Sequence, residues 1–136
     1  MFRGFLLLFA GVLCLGNTSC DKITAGKQFD YNVPFNLTIN EMVHSADGAL
    51  SLIFIEVSND SRCPDDVVCV TAGNAEVLLG VETGGAQLEI ILNSTDGLKE
   101  QSVNGWVIRL LDLQPTPRSD QQIEPGDYEV TLQVEN

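Results

Sequence analysis

The sequence predicts an all-β fold in which two antiparallel sheets pack face to face as a sandwich of about seven strands. Three observations carry that expectation. Apolar residues recur at every second position in several runs, Gly and Pro turn signals separate those runs, and beyond the amino-terminal leader no stretch shows a helical period. A small barrel is the alternative closure.

Phe29, Tyr31, Val33, Phe35, Leu37 and Ile39 alternate with mostly polar residues, the pattern of a half-buried strand. Pro34 lies inside this run and lacks a ladder donor, which implies an edge strand or two strands divided there. Ala46-Asp47-Gly48 marks a turn, and Leu50 to Val57 follows as an almost continuous apolar run suited to a central strand. Strict alternation puts Ile53, Ile55 and Val57 on one of its faces and Leu52 and Phe54 on the other. Ala75, Val77, Leu79 and Val81 alternate until Thr83-Gly84-Gly85 returns the chain into Leu88, Ile90 and Leu92, a hairpin signal. Asn93 to Asn104 reads as a loop. A strand resumes with Trp106, Ile108 and Leu110 on one face and Val107, Arg109, Leu111 and Leu113 on the other, and Pro115 and Pro117 end it. After a solvated loop, Glu124-Pro125-Gly126-Asp127 has the residues of a type II turn. Tyr128, Val130, Leu132 and Val134 then alternate with polar residues as the last strand. Gly126-Asp127-Tyr128 at the entry to a late strand resembles the tyrosine corner of immunoglobulin-like sandwiches, so the expected sandwich is immunoglobulin-like.

The first nineteen residues have the layout of an export signal: a basic start at Arg3, an apolar run from Phe5 to Leu15, and the small polar stretch Gly16-Asn17-Thr18-Ser19. The apolar run is too short to span a bilayer, which takes about 20 residues. Cys20 follows at the position of an acylated cysteine. The segment resembles a bacterial lipobox, with Asn17 where an aliphatic residue is usual. The expected division is a signal peptide over 1–19, a lipidated amino terminus and tether over 20–28, and the sandwich over 29–136. Ordinary cleavage that frees a soluble protein is the alternative. Cysteine pairing favours lipidation: Cys14 leaves with the signal, Cys20 takes the lipid, and Cys63 and Cys69 remain as an even pair.

Those two cysteines sit in the stretch on which the chain is centred, Asn59 to Asn74. A disulfide between them tolerates a Cα separation of about 7 Å at most, far less than six extended residues cover, so a bridge demands a tight loop. Pro64, Asp65 and Asp66 are residues that make such loops. Asp60-Ser61-Arg62-Cys63-Pro64, with Val67, Cys69, Ala72 and Gly73, resembles the motif D-S-R-C-P-x-x-V-x-C-x-x-A-G of small exported bacterial proteins, many of them apparently lipoproteins. Relatives often carry Trp before Ala-Gly, where this chain has Thr71. The resemblance extends loosely from Phe35 to Val134 and marks a family without implying a mechanism.

Composition narrows the function classes. Once residues 1–19 are removed, six basic side chains face 19 acidic ones, a net charge of −13, which opposes nucleic-acid binding. Phosphate-binding, dinucleotide, serine-elbow and HExxH motifs are missing, so no cofactor and no catalytic residue is assigned. The C-x5-C spacing suits neither structural zinc nor a C-x-x-C redox site, and Asp65-Asp66 and Glu124 with Asp127 match no calcium loop, so no metal is assigned. His44 reads as a solvated residue beside a turn, and Trp106 as core. Asn36-Leu37-Thr38 and Asn93-Ser94-Thr95 match a glycosylation sequon that a bacterial chain would not ordinarily use. The expectation is therefore a non-enzymatic binding or accessory module, held at the inner or outer membrane of a Gram-negative envelope by lipid on Cys20 and partnered by an envelope protein or ligand. The alternatives are a thiol-redox factor using Cys63 and Cys69, or a protease-inhibitor-like module presenting Arg62, Cys63 and Pro64.

Overall fold

The computed structural model describes residues 26–95 and 97–136. The described chain forms nine strands: β1 (Lys27–Phe29), β2 (Phe35–Thr38), β3 (Met42–Ser45), β4 (Leu50–Asp60), β5 (Ala75–Thr83), β6 (Ala86–Asn93), β7 (Glu100–Val103), β8 (Trp106–Gln114) and β9 (Glu129–Glu135). They make two sheets, β1-β3-β4-β5-β6 and β2-β9-β8-β7. Every neighbouring pair is antiparallel except β1 with β3. The expected all-β sandwich is what the chain forms.

The core lies between the sheets. Leu50, Leu52 and Phe54 of β4, Val77 and Leu79 of β5, and Leu92 of β6 face Leu37, Ile108, Val130, Leu132 and Val134 of the other sheet, all fully buried. Each buried aliphatic side chain contributes about 1.5–3 kcal/mol, which makes this alternation the main source of stability. Trp106 packs at the margin of the core, half-buried.

Pro34 does divide the first alternating run. β1 belongs to one sheet and β2 to the other, and between them Asn32 adopts φ 64° with its N–H donated to Val134 O at 2.7 Å. The Gly84-Gly85 hairpin also forms as expected, both glycines at positive φ and Thr83 paired with Ala86.

Other expectations are corrected. Ile55, Ser58 and Leu111 are each skipped in the strand pairing as β-bulges. The bulge at Ile55 turns Val57 to the core side, opposite Val77, rather than leaving it beside Ile53. The bulge at Leu111 likewise buries Leu113, while Leu111 stays exposed. Asn93 to Asn104 is not all loop: β7 lies within it and joins β8 through Asn104-Gly105, both at positive φ, the signature of a type I′ turn. Pro125–Asp127 forms a 3-10 turn, and Gly126 is not at the positive φ that a type II turn requires.

His44 lies within β3, half-buried, its Nδ1 2.8 Å from Ser51 Oγ. The β3–β4 turn is organised by the Asp47 carboxylate, which accepts hydrogen bonds from Tyr31 Oη at 3.0 Å, Ser45 Oγ at 2.5 Å and the Ala49 N–H at 3.0 Å.

Candidate functional site

The opposite end of β4 leads into the motif loop. Two bulges each shift the register by one residue and together restore the alternation of faces, so Asp60 returns to the core side of the sheet, opposite Ala75. Beyond it the hairpin ladder continues without regular strand: the Ser61 N–H donates to Asn74 O at 2.7 Å, the Cys63 N–H to Ala72 O at 2.9 Å, and the Asn74 N–H to Ser61 Oγ at 3.1 Å. This close approach accounts for Gly73. It adopts φ +68°, and a Cβ there would stand 1.7 Å from Ser61 O. Cys63 and Cys69 form the disulfide, with Cα atoms 5.9 Å apart.

Arg62 turns away from this loop into the gap between the sheets. Its Nε and Nη2 donate to Asp60 Oδ1 and Oδ2 at 2.9 and 2.7 Å, a bidentate pair. Nη1 donates to Leu113 O at 2.7 Å and Nη2 also to Pro115 O at 2.9 Å, on either side of the cis Gln114–Pro115 bond. Tyr128 Oη donates to Asp60 Oδ2 at 3.0 Å. The side chains of Arg62 and Asp60 are 13% and 12% exposed, so the pair is a desolvated clamp joining the β4 end of one sheet to β8 and the start of β9 in the other.

Electrostatics follow from this geometry. Burial pushes the Asp60 carboxyl up, but the hydrogen bonds and charge of Arg62, with the Tyr128 hydroxyl, outweigh it and hold the group below its ordinary value. Burial and then the Asp60 carboxylate push the Tyr128 phenol up to about 12. Tyr128 is therefore no tyrosine corner in the immunoglobulin sense: its hydroxyl meets a side chain of the other sheet, not backbone a few residues upstream.

The rest of the loop is tied to residues 117–119. The Asp65 N–H donates to Pro117 O at 3.0 Å, and the Asp66 carboxylate accepts from both the N–H and the hydroxyl of Ser119. These hydrogen bonds hold Asp66 below the ordinary carboxylate range. Pro64 accepts the Val67 N–H at 3.4 Å. Thus Asp60, Ser61, Arg62, Cys63, Pro64, Cys69 and Gly73 are brought together, whereas the lipidation residue Cys20 and the signal over 1–19 lie outside the described residues.

Sequence reasoning missed two members. The sequence pattern marks Tyr128 only as a strand residue and corner, and gives Asn74, which follows Gly73 directly, no role of its own. The Asn74 amide donates to Asn93 Oδ1 at 2.6 Å and accepts from Thr95 Oγ1 at 3.0 Å, so the residues of the apparent sequon serve as its partners.

A concavity of about 260 Å³ lies beside the clamp, lined by Arg62, Cys63, Thr95, Asp112 and Thr116 among others. A larger one of about 460 Å³ lies across the five-stranded sheet, near Met42, Ser51, Ile53, Gly80 and Glu82. Ser51 and His44 pair at its margin, with Glu82 opposite Ser51 in the ladder. The three stand in register along one rung, so the carboxylate neighbours the serine and not the far nitrogen of the imidazole, unlike a nucleophile–base–orienter chain.

No family model, curated protein or solved structure matches this chain.

Proposed function

We propose that this chain is a lipid-anchored β-sandwich of the bacterial cell envelope, attached through Cys20 and acting as a non-catalytic binding or accessory module. The observation that carries this reading is the Cys63–Cys69 disulfide. It uses both cysteines of the folded body, suits an oxidising compartment, and leaves Cys20 unpaired once Cys14 departs with the signal. Among the described residues the first strand begins at Lys27, so Lys27 and Gln28 belong to the sandwich and not to the tether expected over 20–28. The motif supports a scaffold role, because Arg62 and Asp60 are engaged with each other, with Leu113 O and Pro115 O, and with the Tyr128 hydroxyl.

The test is the intact mass of the protein extracted from membranes. The expected result is an acyl adduct on the wild type that disappears, together with partitioning into detergent, in Cys20→Ala. An unmodified mass in both proteins would refute anchoring.

A thiol-redox factor is the second reading, favoured by one observation: Cys69 is exposed, so a reductant can reach the bridge. Titration of the reduced pair separates the two, since a redox site requires an easily reduced bridge and a low thiol pKa. The inhibitor-like alternative has less support. It needs Arg62 to enter a protease pocket, which would strip Asp60 of its cation; loss of inhibition in Arg62→Ala would be its mark.

A further inference from the structure

Val67, Val68 and Val70 sit at the tip of the disulfide loop, the last two fully exposed. The tip is not a loose segment. The bridge, the Cys63 N–H to Ala72 O bond, the Asp65 N–H to Pro117 O bond and the Asp66 grip on Ser119 brace it from several sides. Apolar side chains are thereby held out in water by a loop that cannot fold them inward, the condition in which an exposed apolar patch marks a docking surface.

Strand directions say what lies near that tip. β1 runs parallel to β3, and β3 antiparallel to β4, so β1 runs opposite to β4. β4 runs into the disulfide loop. The amino end of β1, at Lys27, therefore points to the same end of the sandwich. Lys27 is level with Val43 and Leu52. From Leu52 to the end of β4 at Asp60 is about 20 Å once the two bulges are discounted, and the steps from Lys27 back to Cys20 can cover about 25 Å. That length is enough to bring Cys20 level with the end of β4 at Asp60, where the loop begins.

We propose that the Val67, Val68 and Val70 tip docks into the headgroup–acyl boundary of the bilayer that holds the acyl chains, fixing the orientation of the sandwich on the membrane. This rests on the anchoring reading above. The excess of acidic residues opposes an anionic surface. Near the tip, Asp66 is taken up by Ser119, and Asp65 lies 3.8 Å from the Arg118 guanidinium. The surface that fits is zwitterionic.

The experiment uses the full chain, processed in cells and reconstituted into phosphatidylcholine vesicles carrying a lipid brominated high in its acyl chains. Tryptophan is placed at the tip (Val68→Trp) or at the opposite end (Ala46→Trp), each in a Trp106→Phe background. Bromolipid should quench emission from position 68 about twofold, as for a side chain at interfacial depth, and leave position 46 unquenched. Replacing part of the phosphatidylcholine by phosphatidylglycerol should reduce that quenching at low salt. Should the variants lose their fold by circular dichroism, hydrogen exchange of the wild type decides: amides 65–71 should slow about tenfold on vesicles relative to detergent, while amides 46–49 should not.

An acyl mass with position 68 unquenched and the tip amides unprotected would overturn the docking surface alone, as would equal quenching at 46 and 68. Tip amides protected only when another envelope protein is added would give the surface to a protein partner and overturn the membrane assignment. Absence of the acyl mass would overturn the anchoring reading and this inference with it.

Discussion

Each end of the sandwich is organised by an aspartate that accepts a tyrosine hydroxyl, yet the two ends are built on different physics. At the β3–β4 turn, Asp47 accepts from Tyr31, Ser45 and the Ala49 N–H while exposed to water. At the motif loop, Asp60 accepts from Tyr128 with its side chain only 12% exposed and is paired with Arg62. The same acceptor chemistry is thus a local turn device at one end and a cross-sheet clamp at the other. Burial makes the second one costly to disturb, because breaking a desolvated pair by removing one partner leaves an uncompensated charge.

The largest effect should come from Arg62→Ala, which strands the Asp60 carboxylate and deprives Leu113 O and Pro115 O of their donor. A loss of about 3–5 kcal/mol in urea unfolding is expected. Arg62→Lys should recover only part of it, since an ammonium cannot make the bidentate contact. If Arg62→Ala cost no more than Asp47→Ala, the contrast between the ends would be broken.

The bridge comes next. A loop this short gives about 2 kcal/mol in the chain-entropy model, so Cys63→Ala/Cys69→Ala should lower stability by that amount and leave the circular dichroism of the sheets unchanged. Collapse of the sheets would show that the bridge, and not the clamp, holds that end together. The tyrosines give a matched pair. Tyr128→Phe should cost about 1 kcal/mol by removing a hydrogen bond to a largely buried charge, whereas Tyr31→Phe, which keeps the half-buried ring and loses only an exposed hydrogen bond to Asp47, should stay within about 0.5 kcal/mol. Equal losses would mean that burial is not the controlling variable.

How legible the two ends were in the sequence follows from the same distinction. The sandwich was readable because alternation and turn residues are local signals, and Thr83-Gly84-Gly85 and Pro34 did what their chemistry requires. The faces of Val57 and Leu113 were misjudged because a bulge is set by pairing with a neighbouring strand and leaves period-two arithmetic without warning. β7 was hidden because three of its four residues are polar and exposed and only Val103 is buried. The residues of the motif loop could be named, but not the task of Arg62. Two of its partners are backbone carbonyls 51 and 53 residues away, which carry no side-chain signature, and Tyr128 is 68 residues from Asp60.

The finest test uses pH. Acid does not separate the ends, because Asp60 and Asp47 both titrate below their ordinary range. A carboxyl depressed in the folded state contributes stability that is present above its unfolded pKa, about 3.9, and lost as pH falls through the folded value, so both ends weaken together. Alkali acts on the motif end through Tyr128. The Tyr128 phenol is pushed up to about 12, by burial and then by Asp60. A group that ionises more readily when unfolded favours unfolding between the two pKa values, so this contribution is intact below about pH 10 and declines as pH rises towards 12. Stability measured by urea unfolding should therefore fall over that window in the wild type and fall less steeply in Tyr128→Phe. Equal slopes would mean that the phenol ionises in the folded state as easily as in the unfolded one, and the gap between the sheets would have to be open to water.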